Sequence, residues 1–347
     1  MAFLPDLILR AVRDFDLWEG GARLVCGVSG GADSTALLCG VLELPARHRP
    51  DVIAAHFDHG LRPEAAADAE SVARLCADLG VPCRRGRAPS RAPKRGSPEA
   101  AMRRERYAFL GEVAAAAGAG AVAVAHQRED RAETVLLRLG RGSGSGGLSG
   151  IRPVAPLPCG PGGARLVRPL WFASRSDVLE YLELRGRAWR EDGTNGDLAV
   201  PRNRLRHEVL PALERALGPG VRTAVLRSAD NLAEDEAALE VWASAELRRR
   251  ARPGGVLRTG AGWEELPAAI RHRTVQAWWR EGTGLPPLGR RHVRQALAGG
   301  GVDLPDGWRI EGQAGGGSLL LRPPAGGPGR VPGAARAGVA AASDSLS

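Results

Sequence analysis

Paired cysteines are missing from this sequence. Its five cysteines are scattered, and no C-x-x-C pair occurs among them. Disulfide frameworks, zinc ribbons and cysteine-held iron–sulfur clusters all depend on paired or closely spaced cysteines. The pattern therefore argues against these three classes. The five are Cys26, Cys39, Cys76, Cys83 and Cys159.

Long apolar runs are missing as well. A membrane-spanning helix needs about 18 or more consecutive apolar residues, and no such run is present. The segment from Phe3 to Phe15 carries charged residues among its apolar ones, so it predicts an amphipathic helix rather than a signal peptide. We therefore expect a cytoplasmic protein with no membrane partner.

Lysine is nearly absent, since Lys94 is the only lysine among 48 basic residues. The net charge of +9 therefore comes from arginine. The arginine guanidinium binds phosphates through two N–H groups and stacks on bases, so this excess is compatible with a polyanionic partner. GC-rich codon usage also enriches arginine, so the net charge by itself gives little support for a polyanionic partner.

Strand-like and helix-like segments alternate through the first two-thirds of the 347 residues. This alternation predicts an α/β fold with a doubly wound, Rossmann-like parallel sheet. The character changes from Val256, which predicts a second, smaller α+β domain. The predicted boundaries are 1–217 for the α/β domain, 218–255 for a linking helix, 256–322 for the small domain and 323–347 for a disordered tail.

The most informative motif follows the first predicted strand. Apolar residues from Leu24 to Val28 lead into SGGADS, and a helical pattern resumes at Thr35. Glycines permit positive φ angles and a close approach of the backbone to a ligand, and the N-terminus of the following helix attracts anions. The stretch therefore predicts a phosphate-binding loop, with a structural glycine turn as the alternative. Its residues are Ser29, Gly30, Gly31, Ala32, Asp33 and Ser34.

Two familiar nucleotide-binding loops do not fit this stretch. It contains neither G-x-x-x-x-G-K-S/T nor G-x-G-x-x-G. Its hydroxyls can donate to phosphate oxygens, and the carboxylate of Asp33 can hold Mg²⁺. The expected site is therefore a phosphate cradle of another type.

Other polar residues follow later strands. Asp58 and His59 come after the second strand, and the segment from His126 to Glu133 comes after the fourth. Because the carboxyl ends of parallel strands share one edge of a sheet, these groups are expected to lie near the glycine loop. Asp130 and Glu133 are three positions apart on one predicted helix face. Their alternative interpretation is an ordinary acidic helix start.

Arginines mark two further regions. Arg202 and Arg206 are four positions apart and share a helix face, which is equally typical of a solvated basic surface. Arg271 and Arg273 precede Trp278 and Trp279, a mixture of basic and aromatic residues typical of nucleic-acid binding. Packing of the tryptophans in a small core is the alternative there. The glycine-serine stretch from Arg141 to Gly150 predicts a loop, either a linker or a cover over the site.

SGGADS resembles the pyrophosphate loop, SGGxDS, of the PP-loop ATP pyrophosphatases. Further segments resemble one branch of that superfamily, the tRNA(Ile)-lysidine synthetases, over roughly Arg23 to Glu214. They are AHFDHGLR (55–62), MRRERYAFL (102–110), HQREDRAETVLLRLGRGSG (126–144) and the pair EDGTN and RNRLRHEVLP (191–211). The resemblance makes 1–217 the ATP-binding catalytic domain and 256–322 a tRNA-contacting domain.

The resemblance implies a ligase that attaches L-lysine to C2 of the wobble cytidine in an isoleucine tRNA with a CAU anticodon. The cytidine O2 attacks the α phosphate of ATP and releases pyrophosphate; the lysine ε-amine then displaces AMP, and decoding changes from AUG to AUA. Catalytic roles fall to Asp33, His126, Asp130 and Glu133. The loop residues, Arg202 and Arg206 are expected to bind ATP, Asp33 to hold Mg²⁺, and Arg103, Arg106, Arg271 and Arg273 to contact tRNA.

DNA and membranes are not expected partners, and a homodimer is neither required nor opposed.

The family pattern HHxDDQxET reads HQREDRAET in this chain, with Gln127, Glu129 and Arg131 at the changed positions. These changes leave the roles of Glu129 and Arg131 open. Two alternatives remain: a tRNA thiolase of the same superfamily, which would need paired cysteines, and a tRNA-binding protein that has lost catalysis.

Overall fold

A computed structural model describes residues 3–60, 65–88, 98–161, 163–190, 197–285, 287–299, 301–312 and 317–324. The chain divides into two compact units, residues 1–232 and 233–347. The tail expected from Pro323 lies outside the described residues beyond Pro324. The boundary between the two units falls inside one long helix, Val221–Arg250. This helix lies in the segment 218–255, for which the sequence predicted a linking helix between the domains.

The first unit is built on a six-stranded sheet in the order β3-β2-β1-β4-β6-β5. Neighbouring strands are parallel except for β5, which runs antiparallel to β6 at the edge. This sheet confirms the predicted fold class, while the antiparallel edge strand was not predicted. The strands are β1 (Arg23–Gly27), β2 (Asp51–Asp58), β3 (Cys83–Arg87), β4 (Ala121–Ala123), β5 (Val154–Pro156) and β6 (Arg165–Val167).

Helices connect and cover these strands. They are α1 (Leu4–Phe15), α2 (Ala32–Leu42), α3 (Ala65–Asp78), α4 (Pro98–Ala117), α5 (Arg128–Leu139), α6 (Ser145–Leu148), α7 (Arg175–Leu184), α8 (Pro201–Arg204), α9 (Leu210–Leu217) and α10 (Val221–Arg250). A 3₁₀ turn covers Ala46–His48, and a π-helical turn over Leu205–Val209 joins α8 to α9. The prediction of a loop from Arg141 to Gly150 was wrong for Ser145–Leu148, because local backbone bonds close one helical turn there despite its glycines.

Both faces of the sheet are packed. Leu24 and Cys26 of β1 belong to one core cluster, with residues of α1, α2 and α7, whereas Val25 belongs to another cluster with residues of α4. Successive strand residues point to opposite faces, so a strand that is apolar throughout is buried on both sides. This packing holds the carboxyl end of β1, and the loop that follows it, in one position.

The second unit contains a five-stranded sheet in the order β7-β8-β11-β10-β9, antiparallel throughout. Its strands are β7 (Ala251–Arg252), β8 (Val256–Arg258), β9 (Val302–Asp303), β10 (Arg309–Gly312) and β11 (Ser318–Arg322). Its other helices are α11 (Ala268–Thr283) and α12 (Arg290–Leu297). Trp278 and Trp279 lie in its hydrophobic core, which confirms the buried interpretation of both. Within the described residues, no helix combines the length and the apolar character that crossing a membrane requires.

Candidate active site

The loop between β1 and α2 is held by its own side chains. Ser29 donates its backbone N–H to Ser34 Oγ at 3.1 Å, and that hydroxyl donates to the carbonyl of Gly31 at 3.0 Å. Gly30 has φ +90°, a conformation that a side chain would strain. Gly31 is the N-cap of α2 and brings no side chain to the helix end. The helix therefore offers backbone N–H groups to an anion.

This loop opens on a cavity of about 710 Å³, a volume within the range of small-molecule sites. The wall combines the loop with apolar side chains from neighbouring elements and with polar groups. It includes Ser29, Asp33, Phe57, His59, Arg106, Leu110, Val124, His126 and Arg175. The structure thus brings the loop, His59 and His126 together, as the sequence predicted. Asp58, Asp130 and Glu133, predicted at the same edge, are not among the described residues that line the cavity.

Asp33 lies in the first turn of α2 and accepts a hydrogen bond from Arg175 Nη1 at 2.9 Å. Burial raises the pKa of Asp33, while the charge of Arg175 opposes that rise. Sequence reasoning missed Arg175. The signal was available, since Arg175 opens the helix that follows β6 at the same carboxyl edge as the other candidates, but no motif marks that position.

Asp130 and Glu133 lie together on α5, as predicted, and both are held by arginines. Glu133 is fully buried and accepts from Arg206 Nε at 2.6 Å and from Arg202 Nε at 2.7 Å. Asp130 accepts from Arg202 Nη2 at 2.8 Å. The two arginines expected at the phosphates of ATP thus pair with the two carboxylates expected at lysine. Neither Asp130 nor Glu133 is among the described residues that line the cavity.

The π-helical turn contributes to this pairing. It contains Arg206, while Arg202 lies one turn earlier on α8. π-turns within helices occur frequently at functional sites. Both guanidinium groups remain about one-third exposed at 31%, whereas Asp130 is 15% exposed. The arginines are therefore the more exposed partners of this cluster, and the carboxylates are its more buried part.

His126 precedes α5 and lines the cavity. Its ring Nδ1 is buried without a hydrogen-bond partner in the described structure. Burial lowers the pKa of His126 well below its ordinary value, and the nearby charges of Arg168 and Arg103 lower it further. His126 is therefore a neutral hydrogen-bonding group near pH 7.

The three positions that depart from the family pattern have structural partners. Gln127 is the buried N-cap of α5, and its backbone N–H donates to Asp130 Oδ2 at 3.1 Å. Glu129 Oε2 accepts the backbone N–H of Arg175 at 3.1 Å. Arg131 lies over the ring of Trp171, 3.6 Å from its centroid, and pairs with Asp230.

The four arginines expected at tRNA differ in their surroundings. Arg106 lines the cavity, and the guanidinium groups of Arg103 and Arg106 lie 5.0 and 5.4 Å from the ring centroid of Tyr107. In the second unit, Arg271 pairs with Glu264 and Arg273 with Glu236. Leu61 and Arg62 of AHFDHGLR, and the EDGTN segment at 191–195, lie outside the described residues.

The mostly parallel sheet and the serine-glycine loop at its carboxyl edge fit the class of PP-loop proteins. In agreement, a family model described as a PP-loop domain matches residues 8–213. The chain is 41% identical over 279 residues to the tRNA(Ile)-lysidine synthase of Geobacter sulfurreducens, covering 77% of this chain and 58% of that protein. It is 39% identical over 310 residues to that of Salinispora tropica, covering 88% of this chain and 90% of the relative. The chain belongs to the tRNA(Ile)-lysidine synthase family.

The match to relatives is uneven in length. The chain spans 58% of the Geobacter protein and 59% of the one from Symbiobacterium thermophilum. Among solved structures, the U34-tRNA thiolase NcsA from Methanococcus maripaludis is similar with a TM-score of 0.52 and 16% identity, over 67% of this chain and 80% of that one. At this identity the likeness shows the shared fold alone.

Proposed function

We propose that this protein uses ATP to ligate L-lysine to C2 of the wobble cytidine of an isoleucine tRNA with a CAU anticodon. The reaction forms lysidine through an adenylated cytidine, releases pyrophosphate and then AMP, and changes decoding from AUG to AUA and charging from methionine to isoleucine. The observation that carries the proposal is the Ser29–Ser34 loop, whose hydroxyls and helix N-terminus face a cavity shared with Asp33 and His126.

In the first step, the cytidine O2 attacks the α phosphorus of ATP and pyrophosphate leaves. Transfer of this kind depends mainly on positioning and on neutralising charge. The backbone N–H groups of the loop, with the hydroxyls of Ser29 and Ser34, supply donors for the phosphate oxygens. The apolar wall of the cavity, including Phe57 and Leu110, suits the purine.

Asp33 is the residue that would hold Mg²⁺, which supplies neutralisation of the phosphate charge. Mg²⁺ is usually held by one or two carboxylates together with substrate phosphates and water. Asp33 fits that pattern, because it supplies one carboxylate in the cavity wall. In the described part of the chain, no group of three or more His, Cys, Asp or Glu side chains forms a complete metal site.

In the second step, the lysine ε-amine attacks C2 and AMP leaves. The lysine ammonium needs a carboxylate partner, and one carboxylate takes its proton. Asp130 and Glu133 are the candidates, but both already accept hydrogen bonds from arginine. Lysine binding is therefore coupled to the release of Arg202 and Arg206, and the polyphosphate of ATP is a suitable new partner for these two cations.

The decisive experiment measures ATP-dependent incorporation of labelled lysine into an isoleucine tRNA transcript with a CAU anticodon. Asp33→Ala should abolish incorporation. Asp14→Ala, which removes a carboxylate exposed on α1 and paired with Arg10, should leave it unchanged. Pyrophosphate release without lysine incorporation would favour a thiolase, whereas tRNA binding without pyrophosphate release would favour a binding protein.

A further inference from the structure

Arg175 is a cavity residue that neither the motifs nor the family resemblance assigned. Its guanidinium lines the cavity beside the loop and donates to Asp33 at 2.9 Å. The Asp33 carboxylate is also the group proposed to hold Mg²⁺. A divalent cation at Asp33 would displace the guanidinium from the carboxylate, so Arg175 needs another anionic partner in the nucleotide-bound state.

The backbone of Arg175 is held in place from α5. Glu129 Oε2 accepts the backbone N–H of Arg175 at 3.1 Å, and the backbone N–H of Arg128 donates to the carbonyl of Ala173 at 3.0 Å. Ser174 caps α7 by accepting from the N–H of Asp177. The start of α7 is thus docked on the start of α5, which directs the first side chain of α7 into the cavity.

Arg131 adds a second attachment of the same segment. Its guanidinium covers the ring of Trp171 at 3.6 Å, and the residue is buried. Glu129 and Arg131 are two of the positions at which this chain departs from the family pattern, and both contact the segment Trp171–Arg175. Of these two contacts, the one made by Glu129 reaches Arg175 directly, and the one made by Arg131 reaches the start of the same segment.

The charged side chains around the cavity indicate which anion Arg175 binds. Two other arginines are among the described residues that line the cavity: Arg190 is paired with Asp68 at 2.5 Å, and Arg106 lies near the ring of Tyr107. Arg175 pairs with Asp33, the carboxylate that would hold Mg²⁺ together with phosphate oxygens of the nucleotide. A guanidinium also binds two phosphate oxygens at once. Because Arg175 lines the cavity beside the loop that resembles the pyrophosphate loop, the β and γ phosphates are the anions expected next to it.

On the basis of the proposed function, we infer that Arg175 contacts the β and γ phosphates of ATP and that Glu129 is its positioning residue. In the nucleotide-free protein, Arg175 neutralises Asp33. When ATP enters, the guanidinium moves from the carboxylate to the phosphates, and Asp33 becomes available to the cation. Arg175 then stabilises the pyrophosphate as it leaves.

The test compares equilibrium binding of ATP and of AMP to the full chain by calorimetry in Mg²⁺ buffer. AMP lacks the β and γ phosphates. Arg175→Ala should weaken ATP binding about 10- to 100-fold, as expected for a lost charge-assisted hydrogen bond, and should leave AMP binding within about twofold. Arg185→Ala is the matched control, because Arg185 caps the other end of α7 and pairs with Glu43.

Glu129 is tested by its effect through Arg175. Glu129→Ala should weaken ATP binding selectively, whereas Glu129→Gln, which keeps an oxygen acceptor, should restore it. In the Arg175→Ala background, Glu129→Ala should add no further loss for ATP, since residues that act as a unit are not additive. If the losses of ATP affinity in the two single variants add up in the double variant, the result would contradict the positioning role of Glu129.

Two results would overturn the inference and leave the proposed function intact. One is an equal loss of ATP and AMP binding in Arg175→Ala, which indicates general damage to the cavity. The other is unchanged or tighter ATP binding, which indicates that Arg175 only neutralises Asp33. A wild-type protein that binds no ATP would instead overturn the proposed function, and the inference with it.

Discussion

The Oε1 atom of Glu133 accepts a hydrogen bond from Arg206 Nε at 2.6 Å, although the two residues are 73 positions apart. The carboxylate is fully buried, and its other oxygen accepts from Arg202 at 2.7 Å. A buried carboxylate with two arginine partners is costly to disturb, because removing one member leaves the others uncompensated. This cluster ties α5 to the turn that carries Arg206.

Glu133→Gln should lower the free energy of unfolding by about 2 to 3 kcal/mol in urea titrations. This lies at or below the roughly 3–5 kcal/mol typical of a broken buried pair, because both arginines stay partly exposed. The matched control is Glu214→Gln, which breaks the pair of Glu214 with Arg222 at two partly exposed side chains and should cost less than about 1 kcal/mol. Equal losses in the two variants would show that the buried cluster contributes no more than a surface pair.

Gly30→Ala and Gly31→Ala should differ strongly, although the glycines are neighbours. Gly30 has φ +90°, and an added Cβ would lie 3.3 Å from Val72. Gly31 has φ −76°, with no neighbouring atom nearer than 3.6 Å to an added Cβ. In thermal unfolding, Gly30→Ala should lower the free energy of unfolding by about 1–3 kcal/mol. Gly31→Ala should change it by no more than about 0.5 kcal/mol. Similar losses would contradict the backbone argument.

His126 should make stability depend on pH. Burial and nearby arginines lower its pKa in the folded state, so the unfolded chain, with a pKa near 6.5, takes up the proton first as the pH falls. Between pH 7.5 and 5.5 this costs the folded state at most about 1.4 kcal/mol, the value reached when His126 stays neutral in the folded protein throughout. His126→Asn removes that loss.

The measurement is the difference between thermal midpoints at pH 7.5 and pH 5.5 in the wild type and the variant. The other histidines with lowered pKa values are His48, His59 and His272. They are present in both proteins, so their contributions cancel in the comparison. The variant should show the smaller difference. An identical difference in both proteins would mean that His126 accepts its proton as readily as in the unfolded chain.

Arginines of α12 should contribute more to tRNA binding than the two arginines of α11 that the sequence singled out. Arg271 and Arg273 are ion-paired, whereas Arg290 and Arg294 are exposed with no ion pair in the described structure. Arg290→Ala with Arg294→Ala should lower the salt dependence of tRNA binding by about 1.5 in log–log slope, since each lost phosphate contact removes roughly 0.7–0.9.

Arg271→Ala and Arg273→Ala are the comparison for this measurement. Each should change the slope by less than about 0.5, because its guanidinium already has a carboxylate partner within the second unit. The proposal of Arg271 and Arg273 as tRNA contacts would be supported instead if their removal lowered the slope while the α12 variant left it unchanged.

Local chemistry determined much of the first unit. The helix from Pro98 to Ala117 begins at a proline, which suits a helix start, and ends before Gly118, which has φ +65°. The strand Arg23–Gly27 and its loop followed from an apolar run that meets two glycines. In contrast, the edge strand Val154–Pro156 has three residues and no periodicity from which to recognise it.

The sequence by itself determined that the glycine loop, His59 and His126 meet at the carboxyl edge of the sheet, because parallel strands place their ends together whatever the detailed packing. Only the tertiary structure decided the partners of the charged groups. Glu133 meets Arg202 across 69 positions and Asp33 meets Arg175 across 142. Such pairs depend on how separate helices pack against one sheet, and hydrophobic periodicity specifies the buried face of a helix but not the charged side chain that its end presents to a neighbour.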